Sequence, residues 1–281
     1  MLIRDVIATI KQHCKGWGEI DEATTKDQVI FGELDKECTG IVTTIYPSIA
    51  VIEKAHQEGA NLIVSHEATF WNRGDKQDWL ADYPTYQEKA ALLKEYGITV
   101  WRFHDYIHSG VPWQGEWVDG IFYGLISELE WEPYVAGYEN ERPHYIRLPK
   151  TPTRELAQYI IDKFNYNGLR CVGDLDGYSE NIMIATTHVF GPKENDDAEL
   201  RRFEEHNIDT YLSMELTDFT LSIFIKDSAS LGHNRRALCV GHFNLEEPGM
   251  KWCAEKYFPT ILPDIKATFA QAGDHYKFIT K

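Results

Sequence analysis

Four places in this chain set a histidine or a carboxylate where a run of apolar residues stops. Leu62-Ile63-Val64 is followed by Ser65, His66 and Glu67. Ile98 to Phe103 is followed by His104, Asp105 and, four residues beyond His104, His108. Residues 208–212 are followed by Ser213, Met214 and Glu215, and residues 236–240 by Gly241, His242 and then Glu246. Imidazole and carboxylate donors bind zinc, manganese, iron, cobalt or nickel. So many donors exceed what one catalytic zinc needs, and they would suffice for two ions about 3.5–4 Å apart bridged by a water of lowered pKa, with a neighbouring carboxylate as general base.

Each of these residues also has an ordinary reading. The chain has 11 histidines, and His13, His56, His144, His188, His206, His233 and His275 sit in no such cluster. Any one of the clustered histidines alone reads as a surface or packing residue. Glu67 and Glu246 would serve as helix-start carboxylates favoured by the dipole. The coincidence of four strand ends is what argues for a site.

The elements that must hold these residues alternate. Helices are expected over 2–14, 47–58, 84–96, 115–127, 152–164, 195–206, 216–224 and 246–257. Strands are expected over 39–45, 61–64, 98–103, 144–148, 181–187, 208–212 and 236–240. Strands separated by helices of this length predict mainly parallel or mixed sheets covered by helices, and ligands collect beyond the carboxyl ends of such strands. The mixed-charge stretch 128–142, with Pro133 and Gly137, reads as a connection. That divides the chain into an N-terminal α/β lobe over 1–127 and a C-terminal α/β lobe over 143–281.

Composition narrows the function classes. With 281 residues, 43% of them hydrophobic and 26% charged, the chain is of ordinary globular make-up. A net charge of −16 and a pI near 5.1 argue against nucleic acid as a bulk partner. The five cysteines, Cys14, Cys38, Cys171, Cys239 and Cys253, are odd in number and contain no CxxC spacing. This argues against a disulfide framework and a thiolate zinc site. No run approaches a membrane span, and the N-terminus lacks the pattern of a signal peptide, so a cytoplasmic protein is expected. No GxGxxG or GxxxxGK[ST] motif supports a nucleotide cradle, and Gly173 to Gly177 reads as a turn too short for a calcium loop. The aromatic segment 69–83 reads either as packing against a neighbouring subunit or as a lid over a planar substrate. VPWQGEW, with Trp113 and Trp117, reads as a wall of the cleft.

The blocks YPSIAVIEKAHQEGANLIVSHEATFW, ITVWRFHDYIHSG and ALCVGHFNLEEPGMKW, with GWGEID near residues 16–21, resemble in order and spacing the Nif-three-like proteins. These are also called GTP cyclohydrolase I type 2-like or dinuclear metal centre proteins. The resemblance covers most of 1–127 and 181–281. It implies two facing α/β lobes, a two-metal site in the cleft between them and a homo-hexameric ring. Carried over by position, it makes His66, His242 and Glu246 metal ligands. Two positions depart: Glu67 stands where the family has a second histidine, and His108 where it has an aspartate. An imidazole cannot bridge two cations as a carboxylate does, and Glu67 restores the lost charge. The ligand set expected is therefore His66, Glu67, His108, His242 and Glu246, holding one or two divalent ions. His104 and Asp105 are expected to support the ligands, and Glu215 to act as a base or a supporting group. The function expected is metal-dependent hydrolysis of an unidentified small molecule, with Glu67, Glu215 or Glu246 handling protons. The family name suggests opening of the GTP imidazole ring, but no guanine or phosphate contact is legible. The alternative is a non-enzymatic ring or scaffold that binds or hands on metal.

Overall fold

The computed structural model describes residues 1–14, 16–185 and 196–279. The chain forms two compact units. The first comprises Met1–Gly124 and Glu247–Gly273; the second comprises Leu125–Glu246 and the chain from Asp274 onward. The α/β class expected from the alternation is what the chain adopts. The stretch 247–273, which the sequence division keeps in the C-terminal lobe, packs with the first unit.

In chain order the first unit opens with α1 (Ile3–His13), β1 (Val29–Phe31), β2 (Ile41–Thr44), α2 (Ile49–Gln57), β3 (Leu62–Ser65), α3 (Pro84–Glu95), β4 (Thr99–Arg102) and α4 (Asp105–His108). A small hairpin, β5 (Val111–Trp113) and β6 (Glu116–Val118), then leads to α5 (Gly120–Glu128). The second unit contains β7 (Val135–Glu139), β8 (Arg142–Pro152), α6 (Thr153–Phe164), β9 (Arg170–Gly173), β10 (Tyr178–Ile184), α7 (Asp196–Glu205), β11 (Thr210–Ser213), α8 (Leu221–Ser230) and β12 (Arg236–Cys239). Helix α9 (His242–Trp252) follows, then a π-helical stretch Cys253–Tyr257, α10 (Phe258–Ile261) and β13 (Ala267–Phe269), which returns to the first sheet.

The first sheet has the order β1-β4-β3-β2-β13. Its four strands from β4 to β13 run parallel, and β1 is antiparallel at the edge. Every residue of β2, β3 and β4 is buried, as expected of central parallel strands covered on both faces. Ile63, Val42 and Val100 pack with Val51, Ile52 and Ala55 of α2 and Leu93 of α3, each large aliphatic side chain contributing about 2 kcal/mol. The register aligns Thr44 with Ser65 and Ser65 with Arg102, so β2, β3 and β4 end level. Residues 66 and 103 therefore leave the sheet side by side, and Phe103 N–H donates to the Ser65 carbonyl at 2.7 Å.

The second sheet has the order β7-β8-β10-β11-β12-β9, parallel from β10 to β12 and antiparallel elsewhere. Ser213 lies opposite Cys239, which brings Glu215 and His242 out at one end. In α9, Pro248 has no N–H for the Asn244 carbonyl. The Tyr166 hydroxyl supplies the missing donor.

Several expected elements are corrected. The helix over 115–127 begins only at Gly120; Gln114 and Gly115, both with positive φ, make the two-residue turn of the β5–β6 hairpin instead. The stretch 128–142 is not simply a connection, because β7 lies in it and pairs with β8 through a turn at Asn140 and Glu141, both also at positive φ. The helix over 216–224 starts at Leu221, and that over 246–257 starts at His242. Strands β1, β9 and β13, of three or four residues each, are too short to show a period. The ends of the strand over 181–187 and of the helix over 195–206, with His188, fall outside the described residues. Trp113 packs on Tyr123 and Trp252. In segment 69–83, Phe70 and Leu80 are core residues, whereas Trp71, Trp79 and Tyr83 are exposed. Among the described residues no helix is long and apolar enough to cross a membrane.

Helices α5 and α9 meet through two glycines of the first unit. A Cβ on Gly249 would lie 2.5 Å from Ile121 Cα, and one on Gly124 would lie 2.5 Å from Gly249 Cα. Gly249→Ala is expected to lower the stability by about 1–3 kcal/mol through forced separation of the helices, measured by urea unfolding. Gly74→Ala, whose Cβ would meet only Lys76 side-chain atoms at 3.6 Å, is the comparison.

Candidate metal centre

At the carboxyl ends of β3 and β4 three imidazoles converge. His66 follows β3, His104 follows β4 after one residue, and His108 closes the single turn of α4. The His66 and His104 rings stack at 4.6 Å with 10° between their planes. His108 stands edge-on to both, at 5.1 and 5.2 Å. One nitrogen from each ring lies within 4.8 Å of one from each of the other two.

The Nδ1 atom of every ring faces an acceptor. His66 Nδ1 is 3.1 Å from the Phe103 carbonyl oxygen, His104 Nδ1 is 2.9 Å from Asp105 Oδ1, and His108 Nδ1 is 2.8 Å from Asp119 Oδ2. An acceptor opposite Nδ1 places the proton there. In the neutral ring this leaves the lone pair on Nε2, the tautomer a metal ligand needs.

These acceptors are themselves held. Asp119 accepts from the backbone N–H groups of Ile121 and Phe122 at 3.0 and 3.2 Å, so it caps the start of α5 while holding His108. Asp105 also accepts from the Thr25 hydroxyl and the Lys26 N–H, both at 2.9 Å. Buried Asp27 accepts from the N–H groups of His104, Asp105 and Tyr106 at 2.5, 2.8 and 2.7 Å, which fixes the turn carrying two of the histidines. Burial pushes the Asp27 carboxyl up, against these three donors.

The electrostatics favour a neutral His104. His104 is pushed down to about 2, first by burial and then by its neighbours His66 and His108, against the pull of Asp105. Burial opposes ionisation of Asp105. The His104 ring N–H, the Lys26 N–H and the Thr25 hydroxyl outweigh it, and the acid is held well below the usual carboxylate range.

Glu67 points its Oε2 at Arg102 Nη2, 2.7 Å away, and its Oε1 lies 4.0 Å from His104 Nε2. Arg102 is buried on β4. Its remaining nitrogens donate to the carbonyls of His66 at 3.2 Å and Arg73 at 2.9 Å, and Asp75 lies 3.8 Å away. The guanidinium thus ties down the loop that carries His66 and Glu67.

In the second unit, His242 opens α9 between two carboxylates. Its Nδ1 is 3.1 Å from Glu215 Oε1, and its Nε2 is 3.0 Å from Glu246 Oε2, one helical turn along. Glu215 therefore stands to His242 as Asp105 does to His104.

The structure brings His66 and His108 together, as the strand-end pattern anticipates. It gives His104, expected as a supporting group, a place in the same cluster; Asp105 is the group supporting it. Asp27, Asp119 and Arg102 were not anticipated. Asp119-Gly120 before an apolar run is legible as a helix cap, but nothing in the sequence ties it to His108. The group offers imidazole nitrogens in front and oxygen acceptors behind, with no thiolate among them, a set that could hold a metal ion.

Arg102→Met is expected to cost about 3–5 kcal/mol, because buried Asp75 and the half-buried Glu67 lose their counter-charge. Chemical denaturation measures this, and adding Glu67→Gln to the same chain is expected to recover part of the loss.

The model of the Duf34/NIF3 (NGG1p interacting factor 3) family matches residues 1–114. Against curated protein sequences there is no match. Among solved structures, the chain is similar to the Staphylococcus aureus hypothetical protein SA1388, with 14% identity over 99% of both chains and a TM-score of 0.71. A Bacillus cereus protein related to NIF3 superposes with a TM-score of 0.67 at 10% identity over 99% of both chains. Reduced HcgD from Methanocaldococcus jannaschii gives 0.57 at 17% identity, over 96% of this chain and 97% of that one. At these identities the likeness speaks for the fold. The chain is thus similar to the Duf34/NIF3 family over residues 1–114 and shares a fold with these proteins over nearly its whole length.

Proposed function

We propose that the protein holds a divalent cation on His66, His104 and His108 and acts as a metal-dependent hydrolase on a small molecule. The observation that supports this most is the acceptor facing Nδ1 on all three rings. Packing alone does not require three adjacent imidazoles to share one tautomer. A bound cation would supply Lewis-acid polarisation and a lowered water pKa.

The chain's own groups divide the remaining work. Asp105, Asp119 and the Phe103 carbonyl keep protons on the Nδ1 atoms and the rings in place. Glu67, held by Arg102 through one oxygen, is the carboxylate placed to take up a proton through the other. His242 and Glu246 present a nitrogen and an oxygen 3.0 Å apart on one face of α9. In this proposal they are a second donor pair, with Glu215 orienting the imidazole. The homo-hexamer implied by the resemblance belongs to the same proposal.

Protein freed of metal and then loaded separately with zinc, manganese, iron(II), cobalt or nickel is expected to retain at least one of them in stoichiometric amount, measured by elemental analysis. His66→Ala is expected to abolish that retention, and Asp119→Ala to weaken it about 10–100-fold. The loaded protein is then screened against phosphoesters, amides and nucleotides. Equal metal content in wild type and His66→Ala would sink the site. Metal retention without turnover of any substrate would favour a metal-handling role over hydrolysis.

A further inference from the structure

The second unit contains a cavity of about 630 Å3 beyond the carboxyl ends of β11 and β12, a size that takes a small organic ligand. Met214 and Val240 line it on the sheet side, and Phe243 of α9 lines it further out. Arg170, Glu215 and His242 also line it, and residues 274–278 supply an outer wall.

That segment has no regular secondary structure, yet it is fastened down. Asn167 N–H donates to Asp274 Oδ2 at 2.9 Å, and Asn167 Nδ2 donates to the Tyr276 carbonyl at 2.7 Å. Tyr276 N–H donates to Asp274 Oδ1 at 3.0 Å. The Phe278 ring lies where a side chain on Gly168 would be, 3.1 Å from the position of a Cβ there. The His275 ring meets Phe243 at 5.2 Å, nearly edge-on. A strap so pinned nevertheless leaves its rings in water: Tyr276 is 68% exposed and Phe278 42%. Aromatic side chains anchored beside a cavity yet open to solvent retain surface that a ligand would cover.

The charges on the same walls are unequal in commitment. Glu215 faces His242, and Asp274 accepts two backbone N–H groups. The cations Arg170 and Lys277 also line the cavity, and neither has an ion-pair or hydrogen-bond partner among the described residues. In a chain with 44 acidic and 28 basic residues, two uncommitted cations beside exposed rings single out a ligand that combines an aromatic plane with negative charge.

We propose that this cavity binds a planar aromatic or heteroaromatic molecule bearing one anionic group, a carboxylate or a phosphate. Its ring packs against Phe243 and the strap, and its anion meets Arg170 and Lys277. The site stands within the second unit and does not rest on the metal reading. The test is therefore run with a chelator present.

Isothermal titration of the full chain uses 1-naphthoate and adenosine 5′-monophosphate as probes. 1-Naphthalenemethanol, which lacks the charge, and glucose 6-phosphate, which lacks the aromatic ring, are the controls. At least one aromatic anion is expected to bind saturably, with both controls about tenfold weaker or worse. Binding of the naphthoate but not the nucleotide assigns a carboxylate ligand, and the reverse assigns a phosphate. Arg170→Ala and Lys277→Ala, both at exposed side chains, are each expected to weaken binding about fivefold to tenfold, and Phe278→Ala to weaken it as well. The proposal is overturned if neither aromatic anion binds, if the controls bind equally well, or if binding is indifferent to all three substitutions.

Discussion

The position of a proton on three imidazoles is the constraint that the first unit is built around. Each ring of the cluster must keep its hydrogen on Nδ1, and each has an oxygen there to receive it. Three histidines in van der Waals range repel one another when charged, and His104 is pushed down to about 2 by burial and by its neighbours His66 and His108. A common tautomer leaves a set of lone pairs backed by oxygen acceptors. That arrangement is a candidate metal-ligand group. It requires the ends of β3 and β4 to be level, which the pairing of Ser65 with Arg102 provides. It also requires the turn after β4 to be rigid, which Asp27 provides from a loop 77 residues earlier.

The same distances explain what the sequence made legible and what it did not. The apolar runs Leu62-Ile63-Val64 and Ile98 to Phe103 announce buried parallel strands, and the polar residues that stop them announce the ends where ligands gather. His66, His108, His242 and Glu246 are the residues this pattern singles out. Asp27 and Asp119 are not among them, because a carboxylate that serves a histidine on another segment leaves no local pattern. Arg102 falls within the expected strand 98–103, but nothing local in the sequence ties its side chain to Glu67 and the carbonyls of His66 and Arg73. Strands β1, β9 and β13 are set by pairing with longer neighbours rather than by any period of their own. The segment 111–118 was misread because Gln114-Gly115 carries a weaker turn signal than the usual Asn-Gly.

Glu67 illustrates how a carboxylate beside the histidine cluster is accommodated. Its charge is met by the guanidinium of Arg102 at 2.7 Å. That guanidinium also binds the His66 carbonyl. Glu67 is thus wired into the position of the neighbouring histidine, and residues 66, 67 and 102 are best understood as one unit of structure.

Strand β13 carries a consequence for how the molecule is made. It covers one side of β2 through parallel pairing of Ala267, Thr268 and Phe269 with Ile41, Val42 and Thr43, partners more than two hundred positions apart. During synthesis, β2 must therefore wait with an open flank until residues 267–269 have been made. A fragment cut to the span of the family match would keep that flank permanently bare, an invitation to pair with other copies of itself. The histidine cluster lies within residues 66–108, but the sheet beneath it is completed by a strand more than 150 residues further along.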